Sequence, residues 1–318
     1  MKEGIKTSHM REGIGTSFMK NNVKTSNING VLNVFKNKGM TSFDVVRKIK
    51  FLASEKKVGH TGTLDPEATG VLPICIGKAT KTIDYIMNSN KVYDVKFLLG
   101  VKTTTYDLEG EVVETNETGH LIEDEVSNVV LSFIGEYDQV PPMYSALKKN
   151  GVRLYDLARQ GIEVEREARR IKIYNIFNLK IDLPYVYMKV ACSKGTYIRS
   201  LCYDIGEELK VGATMAELNR SETSIFKQEN SVNIEDLTEE NIQDYVISIE
   251  EALSFYPKIV VNNSFTKLLI NGVKVFDKRL TSEKIEKNIL YRVYDSEETF
   301  IGIGKQDDKG FKIEKLLL

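Results

Sequence analysis

From Gly30 onward the apolar positions recur with periods that predict elements. GVLNVFK opens as a short apolar strand, a Lys/Gly turn follows, and a helix starts at Thr41 or Ser42. Val45, Val46, Ile49 and Leu52 fall on one face of that helix. Residues 79–88 read as another helix. From Lys91 to Leu99 the period becomes two, with Tyr93, Val95, Phe97 and Leu99 sharing a face, as in a half-buried strand. Residues 170–182 and 185–193 read as two strands joined by Leu183-Pro184, and a helix begins within 194–201. From about Ile249 the runs shorten to Ile259-Val260-Val261, Gly272-Val273-Lys274-Val275 and Phe300-Ile301-Gly302-Ile303-Gly304, which predicts a small β-rich domain.

The residues before Gly30 carry a different pattern. MKEGIKTSH, MREGIGTSF and MKNNVKTSN repeat at a period of nine, too short for the common solenoid repeats and too poor in apolar residues to offset ordering entropy. Residues 1–29 are therefore expected to be a disordered, low-complexity extension. The remainder of a 318-residue chain with 42% hydrophobic residues is long for one domain. Two are expected, at 30–248 and 249–318.

Cys75, Cys192 and Cys202 lack the spacing of a zinc site or a disulfide framework. No stretch approaches a membrane span, and a cytoplasmic protein is the expectation. The net charge of −1 carries no nucleic-acid signature. Locally the balance changes, because Lys148, Lys149, Arg153, Arg159, Arg166, Arg169, Arg170 and Lys172 crowd one segment. Such a cluster is either a solvated face or a phosphate-contacting surface.

The densest chemistry lies in GHTGTLDPEATG, residues 59–70, where permissive glycines surround one carboxylate. Pro66 restrains the backbone directly after Asp65, so the loop can aim that side chain. By turn chemistry alone an Asp-Pro pair in such a loop is also an ordinary turn. The longer string, GHTGTLDPEATG followed by VLPICIGKATK, closely resembles the catalytic motif of the TruB family of tRNA pseudouridine synthases. The resemblance runs nearly continuously from Gly30 to Phe226. It takes in GVLNVFKNKGMTS, QVPPMYSALK, LYDLARQG and KGTYIRSL, and its type is the bacterial one, which carries a C-terminal PUA-like domain.

The resemblance implies an α+β fold: a mixed, mainly antiparallel sheet with flanking helices, a thumb insertion at about 139–170, and a β-rich PUA-like RNA-binding tail. It makes Asp65 the catalytic residue and brings Tyr93, Tyr197, Arg199, His60 and Leu218 to the substrate. Lys148, Arg159 and Arg166 become RNA contacts, and Lys36 a structural residue near the site. Without the resemblance, Tyr93 reads as a core aromatic and Arg199 as a structural ion pair or a surface arginine. His60 has no metal-ligand partner at sensible spacing.

The implied reaction breaks the ribose–N1 bond of uridine 55 in the tRNA T loop, turns the base and rejoins it through C5. It needs no cofactor and no metal, and the implied partner is the tRNA T arm met by a monomer. The carboxylate either attacks the sugar or helps remove the 2′ proton. Two other functions fit parts of the pattern: a non-catalytic tRNA-binding or tRNA-folding protein, and a sister synthase acting on another RNA. Three positions depart from the family pattern: Asn37 stands for a proline, Ser224 for a glycine, and Thr104 for an acid in GVKTTTYD.

Overall fold

The computed structural model describes residues 28–318. The nine-residue repeats, and with them most of the expected 1–29 extension, lie outside the described residues. Ile28 and Asn29 do not: Ile28 is buried, and the Asn29 side chain accepts from the Lys78 N–H at 2.7 Å. The packed chain thus includes at least two residues before Gly30.

The elements of the larger domain are β1 (Gly30–Lys36), α1 (Ser42–Leu52), β2 (Thr69–Ile76), β3 (Lys91–Leu99), α2 (Glu123–Ser132), β4 (Gly135–Gln139), β5 (Arg169–Asp182), β6 (Tyr185–Cys192), α3 (Ile198–Glu208) and β7 (Ala213–Thr223). The main sheet runs from the short strand Val232–Asn233 through β1, β2, β7, β3, β6 and β5 to β4. Neighbours are antiparallel except for β7 on β2 and Val232–Asn233 on β1, so the sheet is mixed and mainly antiparallel. β7 is the last of the long strands in sequence, yet it fills the centre between β2 and β3.

Strand alternation decides which face packs where. Leu32, Val34, Leu72, Ile74 and Phe97 point to the face covered by the helices and share one apolar core with Val45, Val46 and Ile49 of α1 and Leu201 and Ile205 of α3. In α3 the buried Ile198, Leu201, Cys202 and Ile205 have the i, i+3, i+4, i+7 spacing of one helical stripe. Each such apolar side chain contributes about 1.5–3 kcal/mol on burial, enough to hold the helix start, and Arg199 with it, against the sheet. The opposite face presents Val31, Val71 and Cys75, which pack with Ala252, Leu253, Ile303 and Leu317 from the C-terminal part.

The C-terminal domain is a four-stranded sheet in the order β8 (Lys258–Val260), β9 (Leu290–Tyr294), β10 (Phe300–Asp307), β11 (Gly310–Leu316), with α4 (Asn263–Ile270) beside it. One expectation changes here: residues 272–275 form no strand and contribute only a bridge from Val275 to Phe311. The turn of helix Ile249–Ala252, just past the expected boundary, packs with β1 and β2 and also with Ile303 and Leu317 of the C-terminal part. Earlier in the chain, residues 79–88 are helical only in part: a 3-10 segment, Gly77–Thr82, precedes the short helix Ile83–Met87. Thr80 and Thr82 donate their hydroxyls to carbonyls three residues back, which favours the tighter winding.

Candidate active site

Asp65 sits on the loop between the short strand Val58–His60 and β2, and that loop is tied down on three sides. The Ser42 hydroxyl accepts from the Leu64 N–H at 2.9 Å and donates to the Leu64 carbonyl at 3.1 Å. The Lys36 ammonium, fully buried, donates to the carbonyls of Asn37, Met40 and Pro66 at 3.0, 2.8 and 3.0 Å. Gly39 adds an N–H to the Pro66 carbonyl. At the loop's far end Gly70 has φ +113°, and a Cβ there would stand 2.3–2.8 Å from the Arg220 backbone. Only glycine permits this approach of β2 to β7.

The Asp65 carboxylate is gripped from α3. Arg199 brings Nε to within 3.0 Å of one carboxylate oxygen and Nη2 to within 3.2 Å of the other, the forked pairing that suits an ionised acid. The same guanidinium meets Asp107 at 3.3 Å and donates to the carbonyls of Thr105 and Tyr144. Arg199 itself is buried, whereas the Asp65 side chain keeps 36% of its surface open to the cleft. Burial pushes the Asp65 carboxyl above the usual carboxylate range; Arg199 opposes that, Asp107 adds to it, and Lys36 opposes it more weakly.

Beneath the carboxylate runs one transverse row of the sheet. Lys36 on β1 pairs with Gly70 on β2, Gly70 with Arg220 on β7, and Arg220 with Tyr93 on β3. Arg220 is fully buried and donates to the Val71 carbonyl at 2.8 Å and the Gly62 carbonyl at 3.2 Å. Burial raises the pKa of the Tyr93 hydroxyl, and the positive charge of Arg220 opposes that rise. Tyr93 is thus a protonated phenol fixed from below, with its ring in the cleft lining.

Nδ1 of His60 accepts from the Gly62 N–H at 3.2 Å, so the neutral ring carries its proton on Nε2. Burial first, then Arg220, lowers the pKa of His60 and favours that neutral form. Tyr197 is held by Gln139, which accepts from its N–H at 2.8 Å and donates to its carbonyl at 3.1 Å. Leu218 of β7 completes the wall.

These residues line one open cleft of about 1900 Å³, which extends over Arg153, Tyr155 and Arg159 of the segment expected to be the thumb. Arg159 is exposed there, with its guanidinium 5.4 Å from the Tyr155 ring. Lys148 is exposed on a two-residue strand outside the cleft lining. Arg166, expected as an RNA contact, has a side chain 14% exposed that pairs with Glu163 at 3.2 Å and donates to the Pro141 carbonyl. It braces its own segment internally. Thr104 is exposed on the cleft rim, where its hydroxyl accepts from the Glu111 N–H at 3.2 Å and closes a local turn.

The structure therefore brings Asp65, Tyr93, Tyr197, Arg199, His60 and Leu218 together, with Lys36 behind the loop. It adds Asp107, Arg220 and Gln139, which sequence reasoning left without a role. Asp107 and Gln139 lay inside the motif strings, but no periodicity marks a residue whose partners lie far along the chain, as Arg199 does from Asp107 and Val71 from Arg220.

Residues 50–198 match the family described as TruB family pseudouridylate synthase (N terminal domain), and residues 199–254 match the tRNA pseudouridylate synthase B C-terminal domain. The tRNA pseudouridine synthase B of Clostridium perfringens is 62% identical over 292 residues, covering 92% of this chain and 99% of its own. That of Clostridium tetani is 58% identical over 291 residues, 92% and 100% of the two chains. That of Alkaliphilus oremlandii is 42% identical over 296 residues, 91% and 98% of the two. Among solved structures, a Cbf5-Nop10-Gar1 complex superimposes with a TM-score of 0.70 at 28% identity, over 91% of this chain and 85% of that one. An H/ACA RNP bound to a substrate RNA containing 2'-deoxyuridine gives 0.68 at 26%, over the same shares. Likeness of this extent, across the sheet and the C-terminal domain alike, makes the chain a member of the TruB family of pseudouridine synthases.

Proposed function

We propose that this chain is a tRNA pseudouridine synthase that isomerises the T-loop uridine at position 55. The observation that carries the reading is the Asp65 carboxylate, forked onto Arg199 yet still one-third open to a cleft that accommodates a nucleotide. The base must leave its stack before the carboxylate can reach its sugar. Tyr93 offers the extruded uracil a ring face, Tyr197 and Leu218 flank it, and neutral His60 fills space beside it. As the N1 bond breaks, C1′ gains positive character that Asp65 stabilises, by attack at C1′ or by taking the 2′ proton. Arg199 favours the ionised form of the carboxylate and aims it. The base then turns, C5 bonds to C1′, and the C5 proton is lost to solvent.

The thumb cations Lys148 and Arg159 and the four-stranded C-terminal domain, taken as PUA-like, would grip the T arm. Since every residue of the site comes from one chain, the reading needs no second copy, and we place the protein in the cytoplasm as a monomer. A sister activity on another RNA is the second reading. The bacterial tRNA enzymes cover nearly the whole chain at far higher identity than the Cbf5 proteins, which favours tRNA.

Tritium release from a tRNA transcript labelled at uridine C5 tests this. Release by the wild-type chain from position 55, and none by Asp65→Asn with tRNA affinity kept within a few fold, is the expected outcome. Near-normal release by Asp65→Asn would refute the assignment. A primary isotope effect with deuterium at C2′ marks proton abstraction; its absence marks attack at C1′.

A further inference from the structure

The first turn of α1 carries a side chain that the fold does not use. Phe43 is 59% exposed on the lining of the cleft that holds Asp65. The helix start has its capping box from Thr41 and Asp44, and Met40 and Val45 already supply its contacts to the core. Phe43 adds nothing to that start, and an exposed phenyl ring gains nothing from water.

Its placement is nonetheless strictly controlled. Ser42, the residue before Phe43, exchanges two hydrogen bonds with Leu64, the residue before Asp65. The exposed ring and the carboxylate therefore each extend one residue beyond the same reciprocal pair. Arg47, one turn along α1, sets its guanidinium 5.6 Å from the Phe43 ring centroid while pairing with Asp44 at 3.2 Å. An aromatic face backed by a cation, on the rim of a site that must hold an unstacked nucleotide, has the chemistry of a base-stacking platform.

We propose that Phe43, supported by Arg47, stacks an unpaired base next to the target uridine and so replaces the stacking that the RNA loses when the uridine turns out. The inference rests on the synthase reading above. The occupant is a nucleobase of the same RNA, because the platform is continuous with the cleft and carries positive charge beside its ring. Phe43 is then a substrate-positioning residue. It leaves the chemistry at Asp65 alone and sets how tightly the loop is held.

Kinetics on a T-arm transcript test this with Phe43→Ala, Phe43→Tyr and Arg47→Gln. Base–aromatic stacking of the usual strength predicts a KM about tenfold higher for Phe43→Ala with kcat within twofold, KM restored by Phe43→Tyr, and a rise of a few fold for Arg47→Gln. A transcript made abasic at the stacked neighbour, each flank being tried in turn, should erase the difference between wild type and Phe43→Ala. A wild-type chain that converts uridine normally while Phe43→Ala keeps its KM within twofold overturns the platform and leaves the synthase reading standing. So does an equal KM defect in Phe43→Tyr. A wild-type chain inactive on the transcript overturns both. Because the ring is exposed, all three variants should melt within about 2 °C of wild type, separating a binding defect from a folding one.

Discussion

Lys36→Met probes how the aspartate loop is held without touching the carboxylate. The Lys36 ammonium serves three carbonyls, and one of them, that of Pro66, keeps a second donor in Gly39 when lysine is removed. The Asn37 and Met40 carbonyls lose this donor inside the protein. A buried polar group left without its partner costs about 1–3 kcal/mol, and removing the buried charge offsets part of the total, leaving a net loss of about 3 kcal/mol. For a chain of this size that lowers the apparent melting temperature by roughly 6–12 °C. Turnover should fall further than stability suggests, because the Pro66 carbonyl, which directly follows Asp65, is left with one donor instead of two.

Burial also pulls the Lys36 pKa down to about 8 from its ordinary 10.5, against Asp65 and Glu67. Between those two values the folded chain binds fewer protons than the unfolded one, so wild-type stability rises with pH relative to the variant. The gap between wild type and Lys36→Met should thus be wider at pH 10 than at pH 7.5. Thermal melts and tritium-release kinetics at both pH values measure this. A variant melting within 2 °C of wild type with normal turnover would refute the bracing role, and a gap that narrows at high pH would refute the titration argument.

Gly70→Ala should cost at least about 3 kcal/mol, since a Cβ meets the Arg220 backbone at a positive φ; a melt shifted by less than 3 °C would show that β2 and β7 can part there without harm. Arg159→Glu should weaken tRNA binding and flatten its salt dependence, each lost phosphate contact lowering the log–log slope by about 0.7–0.9, whereas Arg166→Gln should lower the melting temperature instead. The reverse pattern in a filter-binding series would exchange their roles. Thr104→Asp should strengthen the bond from the Glu111 N–H and raise kcat/KM by less than about tenfold, a charged acceptor being roughly twice as strong as a neutral one. A fall in kcat/KM would mean that the rim has adapted to a neutral residue.

Local signals in the sequence carried a good part of this architecture. Period-two alternation located β3 and its buried face, the Thr41 cap and the Val45–Ile49 stripe located α1, and the crowded Gly59–Gly70 string located Asp65. The site residues that escaped were those whose meaning is non-local. Arg220 matters because β7 inserts between β2 and β3, and Asp107 because its loop folds back to Arg199; strand order, unlike periodicity, leaves no mark on neighbouring residues. The absent strand at 272–275 and the 3-10 winding at 77–82 failed for another reason, since apolar content alone says nothing of a bridging partner or of hydroxyls bonding backward.

The central place of β7 has a consequence for synthesis on the ribosome. The two family segments meet between Ile198 and Arg199, but that seam is no boundary for folding. A nascent chain ending there would expose two unpaired edges, of β2 and β3, in the middle of its own sheet, and such edges invite pairing with other chains. Arg199 and Arg220 both arrive after the seam, so Asp65 lacks its forked partner, and the Gly62 and Val71 carbonyls their buried donor, until the chain beyond it has emerged. Catalytic competence and protection from aggregation should therefore appear together, as one event, when residues 213–223 clear the exit tunnel.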